Sequence, residues 1–207
     1  PLPLLLGLTL CAAWSAWAGP VPADSPDIRY SGRIDDSQPG AVVFGYSGAR
    51  VRMAFEGASV TMRMDDLNTH NWVNVFIDGQ RTAKLRIDGT GGVYPLASGL
   101  GTGPHTVEVV KATEGPVGNL RFNGFDLPDD GCSLPWPRPE TRRIEVIGDS
   151  ITCGYGVEAA GPTSKFSPDE ENFSDTYEAH AIRALDADYL IVARSGIGML
   201  RNYAGPA

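Results

Sequence analysis

From Ile28 to Leu127 apolar and polar residues alternate with a period of two. Val51, Met53 and Phe55 alternate with Arg50 and Arg52, and Val60, Met62 and Met64 with Thr61, Arg63 and Asp65. Val73, Val75 and Ile77 share a face and run into Asp78-Gly79, after which Ala83, Leu85 and Ile87 alternate with Lys84 and Arg86. Side chains of a strand point to opposite faces in turn, so this pattern predicts strands with one buried face, and Asp-Gly between two such runs predicts a hairpin. Val107 and Val109, then Leu120, Phe122, Phe125 and Leu127, continue the pattern, with glycine-rich turns at 89–92 and 99–103. Many short strands with no helical stretch specify a two-sheet β-sandwich, of which a jelly roll is one form.

The pattern breaks at Pro128. Pro128, Pro135, Pro137 and Pro139 cannot donate to a sheet ladder, and 128–143 reads as a short semi-rigid linker. Beyond it the periodicity changes. Ile144-Glu145-Val146-Ile147 is a short apolar strand that leads into Gly148-Asp149-Ser150. Asp175 with Glu178 three residues on reads as a capping box, and Tyr177, Ala181, Ala184 and Leu185 form one apolar helical face. Tyr189–Ala193 is a second buried-type strand. Strand, helix, strand at this spacing predicts a βαβ unit with a parallel sheet, whose apolar faces further elements would cover.

Pro1 to Ala18 holds no charge and runs through six leucines to Ala16-Trp17-Ala18. An apolar run followed by an Ala-x-Ala step reads as a secretory signal peptide cut after Ala18, shorter than the ~20 residues a membrane span needs. Bulky Leu10 before Cys11 argues against a lipidated cysteine. The reading is therefore a secreted or periplasmic protein with no membrane attachment after cleavage. It divides into a signal peptide (1–18), a β-sandwich (19–127), a linker (128–143) and the start of an α/β domain (144–207). Export leaves Cys132 and Cys153 in an oxidising compartment; two cysteines make no disulfide framework, and buried free thiols are preferred to a bridge. Asn172-Phe173-Ser174 is a glycosylation sequon if the host is eukaryotic.

Lys and Arg number 17 against 25 Asp and Glu, a net charge of −8, which argues against binding nucleic acid by phosphate neutralisation. Gly154-Tyr155-Gly156 lacks the third glycine of a dinucleotide loop, because position 159 is Ala. The three histidines and the two mature cysteines show no metal-ligand spacing, so neither metal nor cofactor is expected. The informative segment is Ile144–Gly156, IEVIGDSITCGYG. A serine just past a strand end lies at the carboxyl edge of an open α/β sheet, where unpaired helix-start N–H groups can face a developing oxyanion. Taken alone, Asp149 and Ser150 fit a helix cap equally well.

The longer string resembles the nucleophile block of the SGNH/GDSL hydrolases, and within them carbohydrate esterase family 2, the acetyl xylan esterase type. Tyr30-Ser31-Gly32-Arg33-Ile34, the run His105–Lys111, and Gly124-Phe125 resemble that family's β-sandwich. Ser195-Gly196-Ile197-Gly198 and Arg201-Asn202-Tyr203 resemble the segment that carries its second block. The resemblance implies a jelly-roll-like sandwich joined to a three-layer α/β hydrolase domain, of which the first βαβ part is present. It implies Ser150 as nucleophile and the N–H groups of Ser150 and Gly196 as oxyanion donors, with Gly198 the alternative to Gly196. The family's Asn donor and general-base His have no counterpart up to Ala207, and the chain is expected to be a fragment without its base. His70 and His105 belong to the sandwich and His180 to the predicted helix, none expected within reach of Ser150. The implied partner is an acetylated polysaccharide or oligosaccharide. The rival reading is a carbohydrate-binding sandwich joined to an inactive hydrolase remnant, with Trp72, Tyr94 and Trp136 as sugar-stacking candidates, although packing is the commoner use of such aromatics.

Overall fold

The computed structural model describes residues 19–68, 70–137 and 141–205. The proposed signal peptide with its cleavage site and Cys11, Pro139 of the linker, and Ala207 lie outside the described residues. Eleven strands build the first part: β1 (Pro20–Pro22), β2 (Ile28–Ser31), β3 (Val42–Phe44), β4 (Arg50–Glu56), β5 (Ser59–Asp66), β6 (Trp72–Ile77), β7 (Gln80–Arg86), β8 (Gly92–Ser98), β9 (Pro104–Lys111), β10 (Leu120–Asp126) and β11 (Cys132–Leu134). All their pairings are antiparallel and they form two sheets. The five-stranded sheet runs β1-β10-β5-β8, with β1 and β3 sharing one edge of β10 on either side of a bulge between Phe122 and Gly124. The six-stranded sheet runs β11-β4-β9-β6-β7, with β2 beside β11 along β4.

The alternation read from the sequence is the sandwich core. Val51, Met53, Phe55, Val73, Val75, Val107 and Val109 of one sheet meet Val60, Met62, Met64, Leu120, Phe122 and Phe125 of the other, all buried in one cluster. Each such side chain contributes about 1.5–3 kcal/mol by leaving water. The stretch expected as a linker is partly sheet. Cys132–Leu134 pairs with Glu56–Ala54, because Pro128, Pro135 and Pro137 flank the strand and leave its N–H groups free to donate.

The second part holds β12 (Arg143–Gly148) and β13 (Asp188–Ala193), paired in parallel from Arg143 against Asp188 to Gly148 against Ala193. The crossover between them carries α1 (Ser150–Cys153) and α2 (Tyr177–Ala184). The βαβ expectation thus describes the strands and the second helix. The capping box and the helix face are corrected. Thr176 caps α2, its Oγ1 accepting from Ala179 N–H at 3.3 Å, while Asp175 lies one residue before the cap and pairs with Arg81 at 2.8 Å. Tyr177 is 65% exposed, and Ala181, Ala184 and Leu185 also face solvent. Glu178, Ala179 and Ile182 point inward. Periodicity found an apolar stripe but could not say which stripe would meet a partner surface.

That partner surface is the outer face of the six-stranded sheet. Phe76 and Val110 pack in one buried cluster with Phe173, Ala179, Ile182, Tyr189, Ile191 and Ala193. Around it runs a polar seam. Arg50 reaches Asp188 at 3.1 Å and Glu108 at 3.3 Å and lies over the Tyr189 ring, Ser31 Oγ donates to Asp188, and Arg52 stands 3.7 Å from Asp188. Asn74 Nδ2 donates to Asn172 Oδ1 at 2.7 Å and to Ser174 Oγ at 3.0 Å. Asn172 is 0% exposed and its Nδ2 donates to Glu158 Oε1 at 2.7 Å, so the sequon has no room for a glycan in this fold. Trp72 donates to Asp169 at 2.9 Å, Tyr94 accepts from Asp88 N–H at 2.8 Å, and Trp136 lies under Arg52. All three sugar-stacking candidates thus have polar or cationic partners within this fold. Among the described residues no helix is long and apolar enough to cross a membrane.

Candidate active site

β12 delivers the chain to the carboxyl edge of the parallel pair, and Gly148 ends it there. A Cβ on Gly148 would stand 2.1 Å from Thr152 Oγ1, so only glycine lets α1 fold back so closely on the strand end. Asp149 caps α1, its side chain accepting from Ile151 N–H at 3.0 Å. Ser150 is therefore the first residue of α1, partly exposed, and among the described residues no group hydrogen-bonds its Oγ or its N–H. Asp149 makes the cap and leaves the Ser150 hydroxyl free. Gly154 closes the helix in the left-handed region at φ 86°.

β13 reaches the same edge. Arg194 N–H donates to Gly148 O at 3.3 Å, which ties the two strand ends together, and a turn at Ser195-Gly196 follows. Gly196 O accepts from Tyr203 N–H at 2.8 Å, while its own N–H has no acceptor among the described residues. Gly198 differs: its N–H is directed at Asn202 Oδ1, 3.4 Å away. Of the two glycines considered, Gly196 is the one with an unengaged amide.

The histidines sit elsewhere. His105 Nδ1 is 2.8 Å from Asp78 Oδ2 and its Nε2 is 3.1 Å from Gly101 O, so both ring nitrogens are occupied. The Asp78 bond raises its pKa. His180 Nδ1 faces Arg183 on the solvent side of α2, and His70 is exposed in a loop. None of them hydrogen-bonds Ser150.

Beneath the two strand ends lies a buried polar cluster that has no periodic signature. Glu114, in the loop after β9, and Glu171, in the crossover, are both buried, as are Lys111 and Cys153. Lys111 Nζ donates to Thr113 O at 2.6 Å, Thr113 Oγ1 at 3.1 Å and Glu114 O at 3.3 Å. Burial pushes the Lys111 ammonium down to about 7. Burial, and then the charge of Glu114, pushes the Glu171 carboxyl up to about 8, and the same two causes raise the Cys153 thiol. Cys132 and Cys153 are both free thiols, Cys132 only partly buried. Donor atoms of Glu114, Cys153 and Glu171 lie within 4.8 Å of one another. The Lys111 side chain beside them directs its donors to Thr113 and to the Glu114 carbonyl. Single acidic residues in loops give no pattern, and the sequence offered no signal for this cluster beyond the residue types.

Residues 30–137 match the family model described as carbohydrate esterase 2 N-terminal. The chain is 39% identical over 184 residues to a cellulase/esterase, CelE, of Acetivibrio thermocellus, which covers 88% of this chain and 22% of that protein. It is 36% identical over 175 residues to an acetylxylan esterase / glucomannan deacetylase of Cellvibrio japonicus, covering 82% of this chain and 46% of the relative. Among solved structures, a family two carbohydrate esterase from Clostridium thermocellum in complex with cellohexaose superposes with a TM-score of 0.81 at 36% identity, covering 87% of this chain and 55% of that one. A family two esterase from Cellvibrio japonicus gives 0.82 at 26% identity over 92% and 56% of the two chains. The chain thus spans about half, or less, of the length of the relatives it matches. A family model that covers more than half of these residues, and is seated on the sandwich whose alternation dominates the sequence, means that this chain belongs to carbohydrate esterase family 2.

Proposed function

We propose that the protein is a secreted serine esterase that removes O-acetyl groups from plant-type polysaccharides or oligosaccharides. The observation that carries this reading is the free Ser150 hydroxyl at the start of α1, at the sheet edge it shares with the unengaged Gly196 amide. Relatives named as acetylxylan esterases and a relative holding cellohexaose support the substrate class. Ser150 Oγ attacks the acetyl carbonyl carbon while its proton passes to a histidine contributed from outside these residues. The carbonyl oxygen becomes an oxyanion, and the N–H groups of Ser150 and Gly196 hold it together with an Asn side chain, also contributed from outside. The C–O bond to the sugar then breaks, the sugar oxygen takes the proton, and an acetyl-enzyme remains. Water attacks that ester by the same route and releases acetate. Metal and cofactor have no role in this scheme. Residues 1–18 direct export in it.

The test is hydrolysis of 4-nitrophenyl acetate and of acetylated xylan by the full-length protein and its Ser150→Ala variant. Loss of at least about 1,000-fold in kcat is expected, since the nucleophile and its base act as one unit. Equal hydrolysis by both proteins would refute the assignment and leave the sugar-binding remnant as the reading.

A further inference from the structure

We propose that Glu114 of the sandwich is a positioning residue for the esterase site, a clamp that holds the Gly196 loop against the Ser150 helix through one carboxylate oxygen. The inference rests on the roles proposed above for Ser150 and Gly196. Glu114 Oε2 accepts from Ser195 N–H at 2.7 Å, and Cys153 Sγ stands 3.7 Å from the same oxygen as a second donor. Ser195 immediately precedes Gly196, and Cys153 is the last residue of the helix that Ser150 opens. One atom of the first domain therefore touches both segments that would supply oxyanion N–H groups.

The clamp is itself held from two sides. Glu114 N–H donates to Glu171 Oε1 at 3.0 Å, and Glu114 O accepts from the buried Lys111 ammonium at 3.3 Å. The residue is buried, 3% exposed. Peptide planarity turns this into control of the neighbouring amide. The Glu114 bond orients the peptide plane before Ser195, and the Tyr203 bond to Gly196 O orients the plane after Gly196. The Gly196 N–H belongs to the single plane between them, so its direction follows from two anchored neighbours. Without Glu114 the plane before Ser195 keeps only the longer turn bond that Arg194 O accepts from Ile197 N–H at 3.3 Å, and the plane carrying Gly196 N–H is freer to rotate away from the position an oxyanion would occupy. On this account the sandwich is part of the catalytic frame and not a detachable sugar-binding module.

The experiment measures 4-nitrophenyl acetate turnover by the full-length protein, with active sites counted by titration with a fluorophosphonate. Ser150→Ala is run alongside Glu114→Ala, Glu114→Asp and Glu114→Gln. In Glu114→Ala, kcat per titrated site is expected to fall about 10- to 100-fold with KM within about twofold, because an oxyanion donor acts in the transition state and little in the ground state. Glu114→Asp draws the oxygen back by one methylene and is expected to lose about tenfold, which keeps the test alive if the alanine variant does not fold. Glu114→Gln keeps a carbonyl acceptor for Ser195 N–H and is expected within about threefold of wild type. Fewer titratable sites with unchanged kcat per site would mark a merely structural residue and overturn the clamp. So would equal losses in the glutamine and alanine variants. An active Ser150→Ala would overturn the functional reading and the clamp with it, whereas an inactive Ser150→Ala beside unimpaired Glu114 variants overturns the clamp alone.

Discussion

Gly154 closes the short helix that presents Ser150, and replacing it with alanine tests how tightly that helix is wedged. A Cβ there would lie 2.5 Å from both the carbonyl carbon and the carbonyl oxygen of Asn172. That backbone cannot step aside: Asn172 N–H donates to Gly154 O and Phe173 N–H to Ala112 O, each at 3.1 Å, and the Asn172 side chain is locked to Asn74 at 2.7 Å. The left-handed φ costs an alanine about 1–2 kcal/mol. Forcing a methyl into filled space adds about 1–3 kcal/mol, for a total of about 2–5 kcal/mol. Gly156 is the internal control, with φ 65° and nothing nearer its Cβ position than Ala159 Cβ at 3.8 Å. Alanine at Gly156 carries only the conformational cost, reduced by the lower entropy of its unfolded chain, and leaves about 1 kcal/mol. Thermal unfolding of the full-length protein should place Gly154→Ala on the order of 4–8 °C below Gly156→Ala, the shift that about 2 kcal/mol produces in a domain of this size. Esterase kcat should fall at least about tenfold in Gly154→Ala only, since the clash displaces the helix that starts at Ser150. Equal melting temperatures for the two variants would refute the wedge, and unchanged kcat in Gly154→Ala would refute the link from that turn to the nucleophile.

Two further outcomes follow from the seam between sandwich and α/β part. Arg50→Ala removes the ion pairs to Asp188 and Glu108 and the stack on Tyr189, and should destabilise by about 1–3 kcal/mol in urea unfolding, since Asp188 loses its nearest cation while Ser31 and Arg52 still hold it. Burial works to raise the Asp188 pKa, but hydrogen bonds from Ser31 and Tyr189 N–H and the charges of Arg50 and Arg52 outweigh it and hold the carboxyl low. Its stabilising contribution is therefore present above the ordinary carboxylate range and lost as pH falls through the depressed value. Glu171 has the opposite sign. Its folded pKa of about 8 lies above the ordinary 4.5, so the folded state holds a proton that the unfolded state releases between those values, and stability falls as pH rises through that window. Glu171→Gln should flatten that fall in melting temperature between pH 4.5 and 8, and an unchanged pH profile would refute the protonated form.

The sandwich was legible because a half-buried antiparallel strand writes its geometry as alternation: Val51, Met53 and Phe55 were assigned inward, and they are. The same logic marked Arg50 and Arg52 as solvent-facing, and both are buried under the α/β part. A period tells which residues share a face but not whether a second layer will cover it. The helix α2 failed for the same reason, turning Ala179 and Ile182 inward in place of Tyr177 and Leu185. Cys132–Leu134 went unread as a strand because three residues between prolines carry too little pattern.

What the residues determined by themselves is local or repetitive: the hairpins, the two apolar runs that pair in parallel, and a serine at a strand-to-helix turn whose glycines allow the close approach. Those features depend on contacts within a few residues or on a repeating face, and sequence encodes both directly. Which amides stay free, and which side chains hold them, was decided only by folding. Glu114 and Ser195 are 81 residues apart in the chain and 2.7 Å apart in space. Such a bond exists because two independently formed surfaces dock, and the energy of docking is spread over Phe76, Val110, Phe173 and Ile182 rather than written at either end of the bond.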